Sequence, residues 1–212
     1  AMDAEETGII AGPPRGEGLL AWSLLEGAWL AFIVAVVTFA FLATRQMWIL
    51  LFGLHGLVGL HVLRADRGRL REWFRPSRHA VLLGIGGGLG LLAFNAAYGS
   101  VLEWLGVSAP DVATELKGML PLPLVYLWAA FLAPVVEELY FRGRLLEAIE
   151  GRVGTGIAVA ISASLFAAMH VYKEIIPALF VFGLGLWGLK RKTGGLVAPI
   201  IAHAINNSVA LF

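Results

Sequence analysis

The sequence predicts an all-α polytopic membrane bundle of about seven transmembrane helices, within a range of six to eight, on three observations. Of 212 residues, 58% are apolar and only 15% are charged, against about a quarter charged in an ordinary soluble domain. The mean hydropathy of +0.79 leaves too little polar surface to face water on every side, so lipid must replace water along much of the chain. The length accommodates six to eight spans at about 20 residues each with short loops between them. A net charge of +1, from 16 basic and 15 acidic residues, supplies no global field for nucleic acid, which is therefore not an expected partner. The absence of cysteine excludes disulfides, thiolate nucleophiles and Cys-ligated metals.

Residues 1–17 carry four acids and one arginine, lack the basic start and apolar run of a secretory signal, and are expected to form an N-terminal tail. The N-terminal transmembrane helices are placed within 18–119 and a C-terminal helical core within 120–212. A first span starts near Leu19, tolerates Glu26 near its end and is closed by Arg45 after an uncharged run from Gly27 to Thr44. The second runs from Gln46 to Leu63. Between Arg64 and His79 come Arg64, Arg67, Arg69, Arg71, Arg75 and Arg78, the pattern of a cytoplasmic loop. The third span, Ala80 to Leu102, contains Gly84, Gly86, Gly87, Gly88 and Gly90, whose GxxxG spacings signal close helix packing.

A mildly acidic loop, Glu103 to Gly118, precedes a fourth span from Leu120 to about Ile149, interrupted by Pro121, Pro123 and Pro134 and charged at its centre. Val153 to Val171, Ile175 to Leu189 and Leu196 to Phe212 complete seven. With the N-terminus inside, thirteen Lys and Arg lie on the inner side and three, Arg45, Lys117 and Lys173, on the outer. This bias orients a multi-pass protein in a cell membrane, expected to be a bacterial or archaeal inner membrane, with 64–79 and 190–193 in the cytoplasm.

Ionisable residues in lipid cost roughly 2.5–3.5 kcal/mol each and therefore mark function. Glu137, Glu138 and Arg142 stand on the fourth span, His170 near the end of the fifth, and His203, Asn206 and Asn207 in the seventh. At about 1.5 Å per residue from the inner turns, Glu137 lies roughly 20 Å up, His203 roughly 15 Å, Asn207 roughly 20 Å and His170 roughly 27 Å, so one layer can hold them all. Glu138 and Arg142 have the favourable i, i+4 spacing for an ion pair, which leaves Glu137 as the unpaired acid. Pro134 removes an amide donor and is expected to free the carbonyl of Ala130. His203 and Asn207, also i, i+4, offer two donors on one face for a developing oxyanion, with Asn206 pointing elsewhere. His55 and His61 are expected to be satisfied core residues. Ser162, Ser164 and Ser208 lack a nucleophile elbow and are expected to pack helices or bond their own backbone.

EELYFR at 137–142, FAAMH at 166–170 and HAINN at 203–207 fit EExxxR, FxxxH and HxxxN in order. Over roughly Leu120 to Phe212 the chain resembles the CAAX-protease and bacteriocin-processing (CPBP, or Abi) family of intramembrane glutamic endopeptidases. The resemblance implies that Glu137 and His170 activate water, that His203 and Asn207 form the oxyanion site, that Glu138 and Arg142 support the helix, and that Phe166 packs beside the site. It implies no cofactor and no metal, and a membrane protein or peptide as substrate. Prenylated CAAX proteins, bacteriocin leaders and C-terminal sorting tails all fit a site within the bilayer. Three other readings use the same residues. One is a zinc protease with Glu137, His170 and His203 as ligands, though it lacks the HExxH helix; another is a non-enzymatic immunity or peptide-binding protein. The third is a proton-coupled carrier, which lacks paired half-helices in two repeats.

Overall fold

Helices occupy each of the seven apolar stretches. The structure, a computed structural model, describes residues 18–170 and 172–211; the expected tail 1–17 lies outside the described residues, as do Val171 and Phe212 at the ends of two expected spans. Helix α1 covers Leu19–Thr44. A π-helical turn, Ile49–Gly53, leads into α2, Leu54–Ala65. The chain then bends by 78° into a short segment ending in α3, Leu70–Trp73. Helix α4, Arg78–Trp104, is capped by the Ser77 hydroxyl, which accepts from the Ala80 amide at 3.0 Å. Helix α5, Val112–Met119, lies within the predicted acidic loop. Its cap is Asp111, whose carboxyl is held below the usual carboxylate range by the Thr114 amide donating to it at 3.0 Å.

The helix Leu122–Val153 consists of α6, Leu122–Tyr126, α7, Ala133–Glu137, and α8, Leu146–Val153, separated by π-helical segments Leu127–Leu132 and Glu138–Leu145. Then come α9, Thr155–Ala168, α10, Ile176–Thr193, and α11, Val197–Ala210. Among the described residues, three helices are long and apolar enough to cross a membrane, Ala21–Thr44, Arg78–Trp104 and Leu122–Val153, and a fourth is added if the bent pair after Ile49 counts as one span. This is fewer than the expected seven. The shortfall lies mostly in the C-terminal helices: α9 and α11 have 14 residues each, about 21 Å against a hydrocarbon core of about 30 Å, and α10 ends in Lys190, Arg191 and Lys192.

The predicted glycine packing is present and selective. Helix α4 runs along α11 and also touches α10. A Cβ on Gly84 would come within 2.8 Å of Ile201 Cβ and 2.9 Å of the Ala198 carbonyl; one on Gly88 would come within 3.1 Å of Ile205 Cβ. Gly86 and Gly90 meet nothing within 4 Å. Gly84→Ala is therefore expected to lower the thermal midpoint, at a cost of about 1–3 kcal/mol of overpacking, whereas Gly86→Ala leaves it unchanged. Equal midpoints for the two variants would refute the α4–α11 packing.

A buried ionic clamp joins α1 and α2 to the long helix. Arg144 grips Glu26 with two bonds, Nε to Oε1 and Nη2 to Oε2, both at 2.7 Å, and donates to Asp66 Oδ2 at 2.7 Å through Nη1. His61 Nε2 approaches both oxygens of Glu26, at 3.1 and 3.2 Å. His61 is thus not a plain core residue, and Arg144, like Arg142, is spent on buried carboxylates instead of loop charge. On the seven-span topology expected from the sequence, the bias without these two arginines would be eleven to three.

Candidate active site

The third π-helical segment begins at Glu138, and insertions of this kind recur at functional sites. Consecutive helical residues point about 100° apart, so Glu137 and Glu138 take different partners. Glu138 is wholly buried, and its Oε1 accepts from Arg142 Nη1 at 2.8 Å and from His203 Nδ1 at 3.0 Å. Arg142, 2% exposed, also donates through Nη2 to the Gly183 carbonyl at 3.3 Å and lies 4.4 Å over the Phe166 ring. The pairing predicted from i, i+4 spacing is therefore made, and Glu138 additionally orients an imidazole.

Glu137 departs from its expected isolation. Its Oε1 lies 3.3 Å from His55 Nε2, and its Oε2 lies 3.8 Å from His203 Nε2, too far for a direct hydrogen bond. That Oε2 is buried and has no hydrogen-bond partner, as has Glu138 Oε2. The side chain of Glu137 as a whole is 19% exposed. His55, expected to be a core residue, is part of the site.

Phe166 ties the histidines together. Its ring centroid is 5.2 Å from that of His170 and 5.8 Å from that of His203, and it stacks on Phe182 at 6.2 Å. His170 Nδ1 lies 3.0 Å from the Phe166 carbonyl; a carbonyl only accepts, so Nδ1 carries the hydrogen and Nε2 of the neutral ring is an acceptor. Residues 172–174 are tethered on two sides. Tyr98 donates to the Glu174 carbonyl at 2.7 Å. Tyr172 donates to Glu115 of α5, a bond to a carboxylate that pushes its phenol up from the usual value.

Asn207 Nδ2 donates to the carbonyl of Ala129 at 2.9 Å. The expected free carbonyl was that of Ala130, four residues before Pro134. In the π-helical register of Leu127–Leu132 the bond spans five residues, so the missing proline N–H is the partner of Ala129, and Asn207 replaces it. Asn206 accepts from Asn95 at 2.7 Å and donates to Asn207 Oδ1 at 3.3 Å, so it sits off the shared face but still touches the side chain of Asn207. Ser162 donates to the Phe141 carbonyl at 2.9 Å and Ser208 to its own Ala204 carbonyl at 2.7 Å, the structural uses expected of them. Among the described residues no group of three His, Asp or Glu side chains is arranged to hold a metal ion.

Three motifs thus converge on one layer of the bundle. Residues 119–209 match the Rce1-like family of type II CAAX prenyl endopeptidases. No curated protein and no solved structure matches the chain. Over that segment, somewhat less than half of the chain, the sequence is similar to CAAX-type prenyl endopeptidases, and the membrane-length apolar helices agree with a membrane protein. It contains Glu137, Glu138, Arg142, Phe166, His170, His203 and Asn207, whereas His55, Glu26 and His61 lie outside it.

Proposed function

We propose that the protein is an intramembrane glutamic endopeptidase that hydrolyses a peptide bond of a membrane-associated prenylated CAAX substrate, without a cofactor. The observation that carries this reading is the buried, unpartnered Oε2 of Glu137 standing 3.8 Å from His203 Nε2 inside an Rce1-like segment. The catalytic unit is 120–212, supported by the helices of 18–119 in a multi-pass arrangement in a bacterial or archaeal cell membrane, with 64–79 facing the cytoplasm.

Water bound between Glu137 and His170 attacks the carbonyl carbon of the scissile bond. Its proton passes to Glu137, a general base held apart from bulk water. The carbonyl oxygen gains the negative charge and is met by donors at His203 Nε2 and Asn207 Nδ2, which are worth most where water is excluded. For His203 to donate through Nε2 both ring nitrogens must carry hydrogen, and Glu138 on Nδ1 balances the resulting imidazolium. Asn207 has a second N–H beyond the one given to Ala129. Collapse of the tetrahedral intermediate breaks the C–N bond as Glu137 returns its proton to the leaving nitrogen, giving a carboxylate and an amine.

The test is cleavage of a farnesylated CAAX-terminated reporter peptide by protein reconstituted in liposomes, beside the same peptide without the lipid. Release of a C-terminal fragment from the farnesylated peptide alone, undiminished after prolonged treatment with a strong chelator, is the expected result. Equal cleavage of both peptides would remove the prenyl requirement. Stoichiometric zinc whose removal abolishes cleavage and whose return restores it would replace the glutamate mechanism with the zinc one.

A further inference from the structure

The most informative group outside the Rce1-like segment is His55, on the first turn of α2. Its Nε2 lies 3.3 Å from Glu137 Oε1. Its Nδ1 lies 3.2 Å from the Trp128 indole nitrogen and 2.9 Å from the Leu51 carbonyl. An indole N–H can only donate and a carbonyl can only accept, so these two contacts demand opposite protonation of Nδ1. Facing an ionised Glu137, Nε2 carries hydrogen in either case: the neutral ring keeps Trp128 as partner, and the imidazolium keeps Leu51. The donor at Oε1 therefore persists through a change of partner on the far side of the ring. The indole also packs edge-on against the imidazole, with centroids 5.4 Å apart and planes at 86°, which fixes the plane in which Nε2 points. Oε1 is occupied, and Oε2 is the oxygen left without a partner.

We propose that His55 is a positioning residue for Glu137: its Nε2–H holds Oε1 so that Oε2 alone is presented as the base. This rests on Glu137 being the base. It also gives the helices before residue 119 a part in the reaction. His55 does not touch substrate, and its effect passes entirely through one carboxylate.

The experiment compares His55→Leu with His55→Gln in liposomes, using the farnesylated reporter peptide. Glutamine places an N–H near the position of Nε2, and leucine removes it while keeping bulk. His55→Leu is expected to lower kcat about 10- to 100-fold, the worth of one hydrogen bond to a charged group, with KM unchanged; His55→Gln is expected to recover most of the loss. In a Glu137→Gln background, His55→Leu should change nothing further, since its target carboxylate is gone. A fully active His55→Leu would overturn the proposal, and so would equal impairment of the two variants at unchanged thermal midpoints. If His55→Leu unfolds, the His55→Gln variant alone decides: a folded but inactive His55→Gln refutes the positioning role, and a folded, active one supports it. Full activity in Glu137→Gln itself would instead remove the base assignment, a separate failure seen in a separate variant.

Discussion

Glu137→Gln is expected to lower turnover by about two orders of magnitude or more while leaving the fold and peptide binding intact. Glutamine matches the volume of glutamate, and its amide oxygen still accepts from His55 Nε2, so the 3.3 Å contact survives. What it lacks is the ability to take a proton from water. The expected fall is about 10²- to 10⁴-fold, the usual contribution of a positioned general base. Thermal unfolding should be unaltered, because Oε2 makes no hydrogen bond whose loss would be felt. The farnesylated reporter should still co-purify with the variant, separating chemistry from binding. Retention of full cleavage activity would end the glutamate mechanism, and binding without any cleavage by the unmodified protein would favour a peptide-binding membrane protein.

Arg142→Ala has the largest expected effect on stability. The guanidinium is 2% exposed and divides its contacts between Glu138, the Gly183 carbonyl and the Phe166 ring. Removing it strands a wholly buried carboxylate, a loss of about 3–5 kcal/mol for a broken buried pair. Activity should fall with stability, because Glu138 also orients His203 through Nδ1. The double variant Glu138→Gln with Arg142→Gln carries no buried charge at either position and should regain part of the lost midpoint. A single Arg142→Ala protein as stable as the parent but inactive would show that Arg142 handles substrate directly.

The parts of the site visible in the sequence are those written within one helix. The spacing of Glu138 and Arg142, and the position of Asn206 off the face shared by His203 and Asn207, follow from residues per turn. The glycine period marks close packing but does not choose the face, since Gly86 and Gly90 are four apart just as Gly84 and Gly88 are, and only the packing against α11 separates the two pairs. His55 and Glu137 are 82 residues apart, and nothing near His55 in the chain signals a carboxylate partner, so an isolated histidine on an apolar helix read as core. The shift from Ala130 to Ala129 escaped for a different reason. A proline shows that a donor is missing, but which carbonyl loses it depends on whether the bond spans four or five residues, and that is settled by packing around the helix. The seven apolar stretches were legible as helices, while their sufficiency as spans was not, because the short C-terminal helices give up apolar length to polar side chains.

The clamp between Glu26 and Arg144 bears on how the chain is made. Glu26 emerges from the ribosome 118 residues ahead of Arg144, an interval of roughly 6–24 s at the usual 5–20 residues per second. During that time α1 carries a carboxylate whose burial in lipid without a counter-ion costs roughly 2.5–3.5 kcal/mol. His61, only 35 residues behind, is the first of these partners to be synthesised. The two-bond contact of Glu26 is thus available to α1 only after α2, α3, α4 and most of the long helix have been made.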